Sequence, residues 1–300
     1  MFYLVTTHVD GGGHFVVSAE DPESEWTDPI YIDAPGFDPD LFFDDGTAYL
    51  TYAAGPTLAE TTIKQATLNL DTGAVGDTRE IWRGIEGTFS EAPHLYKRDG
   101  VYYLLTAEGG THTNHTVVAA RADDPNGPFK ACPRNPILSH RGHPMEAIGA
   151  TGHGDLLHAH DGSWWLVFLG IRQQGGYPGW HHLGRETFLA PVEWEDGWPV
   201  VNGGEPVGIE MDVGLPGDTA EHNPAEPTRQ TRATFDGETL EEAFEYRRNP
   251  DPDAYSRTDA GRLTLSDGEP RRARCDVRRS PTGEFRLPSR GRILVRPRGR

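Results

Sequence analysis

Lysine is nearly absent from this chain of 300 residues: Lys64, Lys97 and Lys130 are the only three. Cysteine is scarcer still. Cys132 and Cys275 stand alone, so no disulfide framework staples the fold. No apolar run approaches the ~18–20 residues that a membrane-spanning helix needs, and no membrane partner is expected. The opening MFYLVTTHVD has neither the basic segment nor the long apolar segment of a secretory leader, which leads to the expectation of a cytoplasmic protein. Acid fills the place of the missing lysine. The net charge is −18, unevenly spread: residues 270–300 hold 11 Arg against 2 acids, and the first 269 residues carry −27. Such a surface repels nucleic acid. It stays soluble where salt screens its self-repulsion, which fits a halophilic source or, on composition alone, an acidic protein from a GC-rich genome.

What the chain does have is a repeated hairpin. Residues 91–111, EAPHLYKRDGVYYLLTAEGGT, read as a strand, a two-residue Asp99-Gly100 turn and a second strand. An Asp-Gly turn supplies the positive φ that matches the twist of its flanking strands. The second strand is rich in aromatic and branched residues. The unit recurs at 38–52, DPDLFFDDGTAYLTY, and at 153–169, HGDLLHAHDGSWWLVFL, with turns at Asp45-Gly46 and Asp161-Gly162. MFYLVTT matches the second strand alone. A further echo links AEDPESEW at 19–26 with ADDPNGPF at 122–129. Repeated four-stranded units of this size imply a β-propeller or a related array. The spacing is irregular, with 53 residues from Asp38 to Glu91 and 62 from Glu91 to His153.

One polar position stands out in each unit. Asp38 lies eight residues before Gly46, Glu91 nine before Gly100, and His153 nine before Gly162. These three are expected at equivalent places on the inner strands, converging near the propeller axis although far apart in sequence. The expected blades are 1–33 (a remnant), 34–86, 87–145 and 146–211. Gly11-Gly12-Gly13 is a hairpin turn rather than a phosphate loop, because no Lys-Ser/Thr follows it.

The segments GFDPDLFFDDG, EAPHLYKRDGVYYLLTAEGGT, GHGDLLHAHDGSWWLVFLG and LGRETFLAPVEWEDGWPVVN resemble glycoside hydrolase family 43, in its β-xylosidase and α-L-arabinofuranosidase branch. The likeness runs from Met1 to about Gly214. It implies an all-β fold, a five-bladed β-propeller followed by a β-sandwich, and inverting hydrolysis of terminal β-1,4-xylosyl or α-L-arabinofuranosyl residues in xylan-derived oligosaccharides. By motif, Glu91 matches the family's proton donor and Asp38 the aspartate that tunes and orients it. Arg185 matches a sugar-contacting arginine, and His153 a histidine near the axis that in some members lies close to a metal. No cofactor is required, although a calcium ion near the axis is compatible with the family. Nothing in this chain matches the family's general base, which belongs to a first blade. The expectation is therefore an incomplete propeller, lacking that blade and part of the second, with impaired hydrolysis. A non-catalytic sugar-binding propeller is the alternative.

Plainer roles exist for each residue. Asp38-Pro39 could simply start a turn. Glu91 could be an exposed acid at a strand end, and His153 a satisfied interior histidine. Arg185 could pair with Glu186 or Asp196. Phe37 and Trp180 could stack on sugar faces or only pack, and Glu108 either lines the pocket or does not. His112, His115, His181 and His182 lack the spacing of a closed zinc site. Downstream, 212–230 is rich in Pro, Gly and acids and reads as a linker. Residues 231–269 resemble the start of a concanavalin-like sandwich. The Arg-rich tail at 270–300 shows no strand alternation and reads as out-of-frame sequence.

Overall fold

The computed structural model describes residues 1–9, 11–85, 88–175 and 179–210, with the backbone of 244–246, 255–258, 262–265 and 277–279. Two compact units result, 1–216 and 217–300.

The first unit is a succession of antiparallel sheets arranged like propeller blades. Its first sheet has three strands, β1 (Phe2–His8), β2 (Gly13–Ala19) and β3 (Ile30–Ile32). The second runs β4 (Phe37–Asp44), β5 (Thr47–Ala54), β6 (Thr62–Thr67) and β7 (Arg79–Trp82) in chain order. The third contains β8 (Glu91–Arg98), β9 (Val101–Glu108), β10 (Thr116–Ala122) and β11 (Lys130–Ala131), with β12 (Leu138–Ser139) also paired to β10. The fourth contains β13 (Ile148–His158), β14 (Trp164–Arg172), β15 (Arg185–Glu195) and β16 (Trp198–Val201). This matches the expected all-β, incomplete five-bladed architecture. The Gly-rich turn at 11–13 closes the β1–β2 hairpin, as expected, with His8 opposite Gly13.

Each pair of neighbouring sheets encloses its own core. Val16, Ile32, Leu50, Tyr52 and Leu68 pack between the first and second sheets. Leu95, Tyr102 and Leu104 meet Phe42, Ile81 and Trp82 between the second and third. Tyr103, Leu105 and Val117 meet Leu156, Leu166 and Phe168 between the third and fourth. Successive strand residues point to opposite faces, so Leu104 serves one core and Leu105 the next. That two-sided burial is why VYYLLTAE is continuously apolar rather than alternating. The edge strand β1 is different, leaving Phe2, Tyr3 and Leu4 largely exposed.

Of the second unit, four short strands are described. β17 (Phe244–Tyr246) pairs with β20 (Val277–Arg279), and β18 (Tyr255–Thr258) with β19 (Arg262–Leu265). β20 lies inside the Arg-rich tail, so that stretch contributes a strand where alternation shows none. The proposed linker at 212–230 lies outside the described residues. Among the described residues no helix is long and apolar enough to cross a membrane.

Candidate functional site

The innermost strands of the second, third and fourth sheets share one irregularity. Phe37 opposes Ala53 and Asp40 opposes Thr51, so Asp38-Pro39 face a single residue of β5. Ala92-Pro93 do the same between Glu91 and His94, as do His153-Gly154 between Gly152 and Asp155. Each is a β-bulge, which bends the strand and re-aims its side chains. In each, the first residue adopts a left-handed backbone, with φ of 51° at Asp38, 49° at Ala92 and 54° at His153. Such values strain residues that carry a side chain and persist where the surrounding structure enforces them. Proline follows in two of the three, at a place where no ladder N–H is needed.

The register corrects one expectation. Asp38, Ala92 and His153 are the equivalent residues; Glu91 stands one position earlier, level with Phe37 and Gly152. Counting back from the turn glycine misled because His158 pairs with Trp164 across a longer connection than the two-residue turns of the other blades. The offset has a consequence. Asp38 Oδ2 accepts the N–H of Ala92 at 3.1 Å, so the left-handed residue of one blade grips that of the next.

Glu91 is the first residue of β8 and half-buried. Burial, then the charge of Asp38, pushes its carboxyl up to about 7, while Arg185 pulls the other way. Glu91 can therefore hold a proton near neutrality, as a general acid must. Arg185 begins β15, and its charge also bears on His115 and His153. The structural alternatives for Arg185 are occupied. Glu186 pairs with Arg172 at 3.2 Å, and Asp196 with Arg134 at 3.6 Å. His153 is held below its usual range by burial; Asp38 works against that, and His94 and Arg185 reinforce it. Its ring centroid lies 6.4 Å from that of His94.

Several members of this cluster carry no motif signal of their own. Asp40 Oδ1 bonds His94 Nδ1 at 3.1 Å, and its Oδ2 accepts the Leu95 N–H at 3.1 Å. Burial opposes a charge on His94, but the hydrogen bond and charge of Asp40, with Asp155 and Asp38 beyond, raise its pKa. Tyr96 donates to Asp155 Oδ1 at 2.5 Å and accepts the Leu156 N–H at 2.8 Å. Two acids of β4 and one tyrosine of β8 thus stitch the inner strands together. The findable signal was register: Asp40 and His94 both lie six residues before their turn glycine.

Other expected residues fall elsewhere. Glu108 is fully buried, and both its oxygens take the Ile85 N–H, at 2.9 and 3.1 Å. It clamps the approach to β8 from inside the blade and does not line an open pocket. Phe37 is partly exposed on β4, level with Glu91. Trp180 is 71 % exposed on the β14–β15 connection, bridged through its backbone to Gln174. Calcium takes six to eight oxygens; around the axis stand two imidazoles and carboxylates already bonded to neighbouring strands. Among the described residues no group of three or more His, Cys, Asp or Glu is placed to hold a metal.

Residues 1–199 match the family described as Glycosyl hydrolases family 43. The chain belongs to that family. It is 38 % identical over 282 residues to a xylosidase/arabinosidase of Butyrivibrio fibrisolvens, covering 86 % of this chain and 52 % of that protein. Identity to a non-reducing end alpha-L-arabinofuranosidase of Bacteroides ovatus is 36 % over 263 residues, 86 % of this chain and 48 % of the other. Among solved structures, the xylan beta-1,4-xylosidase of Bacillus halodurans superposes with a TM-score of 0.70 at 32 % identity, over 87 % of this chain and 52 % of that one. The chain spans about half the length of the relatives it matches. Its place in family 43, in the xylosidase/arabinosidase branch, agrees with what the inner-strand motifs implied.

Proposed function

We propose that this chain carries the acid side of an inverting glycosidase site for terminal β-1,4-xylosyl or α-L-arabinofuranosyl groups. Glu91 is the proton donor, Asp38 its tuning and orienting partner, and Arg185 a fixed fork of donors for sugar hydroxyls. The observation that carries this reading is that Glu91 opens β8 half-buried, next to the Ala92 whose N–H Asp38 holds at 3.1 Å, where burial and Asp38 push its carboxyl up to about 7. An inverting reaction also needs a second carboxylate, ~6.5–9.5 Å away, to activate water on the far face of the sugar. Asp38, Asp40 and Asp155 each accept a hydrogen bond from a neighbouring inner strand. These bonds tie the three acids to the strand framework and favour a second reading, in which the sugar binds and little is hydrolysed.

Formate, supplied as a small external carboxylate, separates the two. Xylobiose and an arabinofuranosyl-substituted xylo-oligosaccharide are incubated with the chain, with and without formate, and sugar binding is followed by calorimetry. The expected outcome is binding, little cleavage without formate, and formate-dependent cleavage that Glu91→Gln lowers by about 10²–10⁴-fold without loss of binding. Binding with no formate-dependent cleavage would leave the sugar-binding reading alone. Absence of binding to either sugar would overturn both.

A further inference from the structure

Two of the three bulges are backed by a buried histidine from the preceding sheet. His14 on β2 is fully buried. Its Nε2 lies 3.3 Å from the carbonyl of Pro35, and its Nδ1 lies 2.9 Å from Thr7 Oγ1. A carbonyl can only accept, so Nε2 carries the proton and Nδ1 accepts from the threonine hydroxyl. Pro35 is three residues ahead of Asp38. Gly36 between them has φ of 100°, and a Cβ there would come within 2.0 Å of the Ala53 carbonyl. The chain is thus pinned on both sides just before the bulge.

His115 repeats the arrangement. It too is fully buried, with Nδ1 3.2 Å from the carbonyl of Ala150, itself left-handed (φ 51°) at a further bulge of β13 and three residues ahead of His153. Here Nδ1 carries the proton. The ring lies against Gly152, where a Cβ would stand 2.3–2.4 Å from three ring carbons. Burial holds this imidazole neutral, at about 4, so the Nδ1 donor persists across the neutral range. The middle bulge needs no histidine, because Asp38 itself takes the Ala92 N–H.

We infer that His14 and His115 are positioning residues: each donates one ring N–H to the carbonyl three residues ahead of a left-handed bulge residue, and so aims Asp38 and His153 at the axis. The inference rests on the reading of Asp38 and His153 as parts of the sugar site. It deepens that reading by assigning the groups that hold them there.

The two histidines use opposite ring nitrogens, and this gives a selective test. Asparagine places an amide N–H near the Nδ1 position and glutamine near Nε2. His115→Asn and His14→Gln should therefore keep the hold, while His115→Gln and His14→Asn should lose it. For position 14 the readout is the carboxyl titration of Glu91 by carbon NMR in the full chain. Wild type and His14→Gln should titrate alike. In His14→Asn the loss of Asp38 from its side should lower the midpoint by about one pH unit. For position 115 the readout is the proton contact between the rings of His94 and His153, kept in His115→Asn and lost in His115→Gln. A role in filling space alone does not distinguish the amides, so equal behaviour of the two at either position, folded or unfolded, overturns the inference. Neither readout requires turnover. A chain that binds the sugar but hydrolyses nothing even with formate counts against the proton-donor reading alone and leaves this test intact.

Discussion

β4 and β8 carry the same bulge with the same left-handed backbone, yet they present their acids in opposite ways. In β4 the acid is the left-handed residue itself, and Asp38 spends one oxygen on the Ala92 N–H. In β8 the left-handed residue is an alanine and the acid stands one place earlier, where Glu91 feels burial and the charge of Asp38 together. One backbone device thus places two carboxyls differently, and a shift of one residue decides which of them is bonded to the next strand and which is raised. Raising one carboxyl by burial and a neighbouring charge is how a site can obtain an acid that stays protonated near neutrality.

The strongest way to break the comparison is Asp38→Asn. The amide oxygen can still accept the Ala92 N–H, but the charge is gone. Glu91 then loses the second of the two causes that raise it, and its carboxyl titrates below 7. At neutral pH less of the acid is protonated, so the alkaline limb of the formate-rescued rate moves to lower pH. With a midpoint lower by about one pH unit, a fall of roughly fivefold at pH 7 is expected. An unmoved alkaline limb would show that burial alone sets Glu91.

Deeper along the same two strands, Asp40→Ala tests what holds β4 to β8. It strands the half-buried His94 imidazole and the Leu95 N–H, both bonded to Asp40 now. Leaving such groups unpaired costs about 2–4 kcal/mol, readable as a lower denaturant midpoint with the slope unchanged. A loss no larger than that of an ordinary surface substitution would mean that the two sheets are held by their apolar core alone.

Glu91→Gln sharpens the comparison through stability. The folded carboxyl titrates at about 7 and the unfolded one near 4.5. The folded state therefore binds more protons between these values, and stability falls as pH rises from about 4.5 to 7. The penalty is complete above 7. Because Glu91 is partly open to solvent, it amounts to at most roughly 2 kcal/mol. Glutamine removes it, so the variant should gain on wild type at pH 8 and show little gain at pH 4.5. The same gain at both values would trace it to packing instead of charge.

The hairpins were legible because Asp-Gly turns and aromatic strands are local signals. Glu91 and Asp38 were singled out by the motifs around them, and the fold brings the two close enough for Asp38 to raise the Glu91 carboxyl. The bulges were not, since a single inserted residue changes the register without changing composition. Nor were the ties between blades: Asp40 meets His94 across 54 residues and Tyr96 meets Asp155 across 59, and only the shared offset of Asp40 and His94 from their turn glycines hints at the first. The buried faces of β9 hid the alternation that would have shown which residues point where. Whether Glu108 lines the pocket was open in sequence, because nothing local shows that this strand-end acid folds inward onto Ile85.

The smallest effect is expected at the outer end of the same boundary. Asp44 of β4 accepts from Lys97 of β8 at 2.7 Å and from Tyr102 of β9 at 2.6 Å. These two hydrogen bonds, Lys97 first, hold its carboxyl below the ordinary 3.8. Their contribution is present above that value and lost as pH falls through the lowered one. Water reaches this pair, so the charge is screened and the pair is weak. Lys97→Gln should lower the unfolding midpoint by less than either Asp40→Ala or the pH-dependent Glu91 effect. It should also flatten the acid end of the stability curve, because Asp44 then sits closer to its unfolded value. If Lys97→Gln instead destabilised as much as Asp40→Ala, the grip between β4 and β8 would lie at the rim and not at the axis. The convergence of Asp38, Asp40 and Glu91 would then be a by-product of an outer clamp.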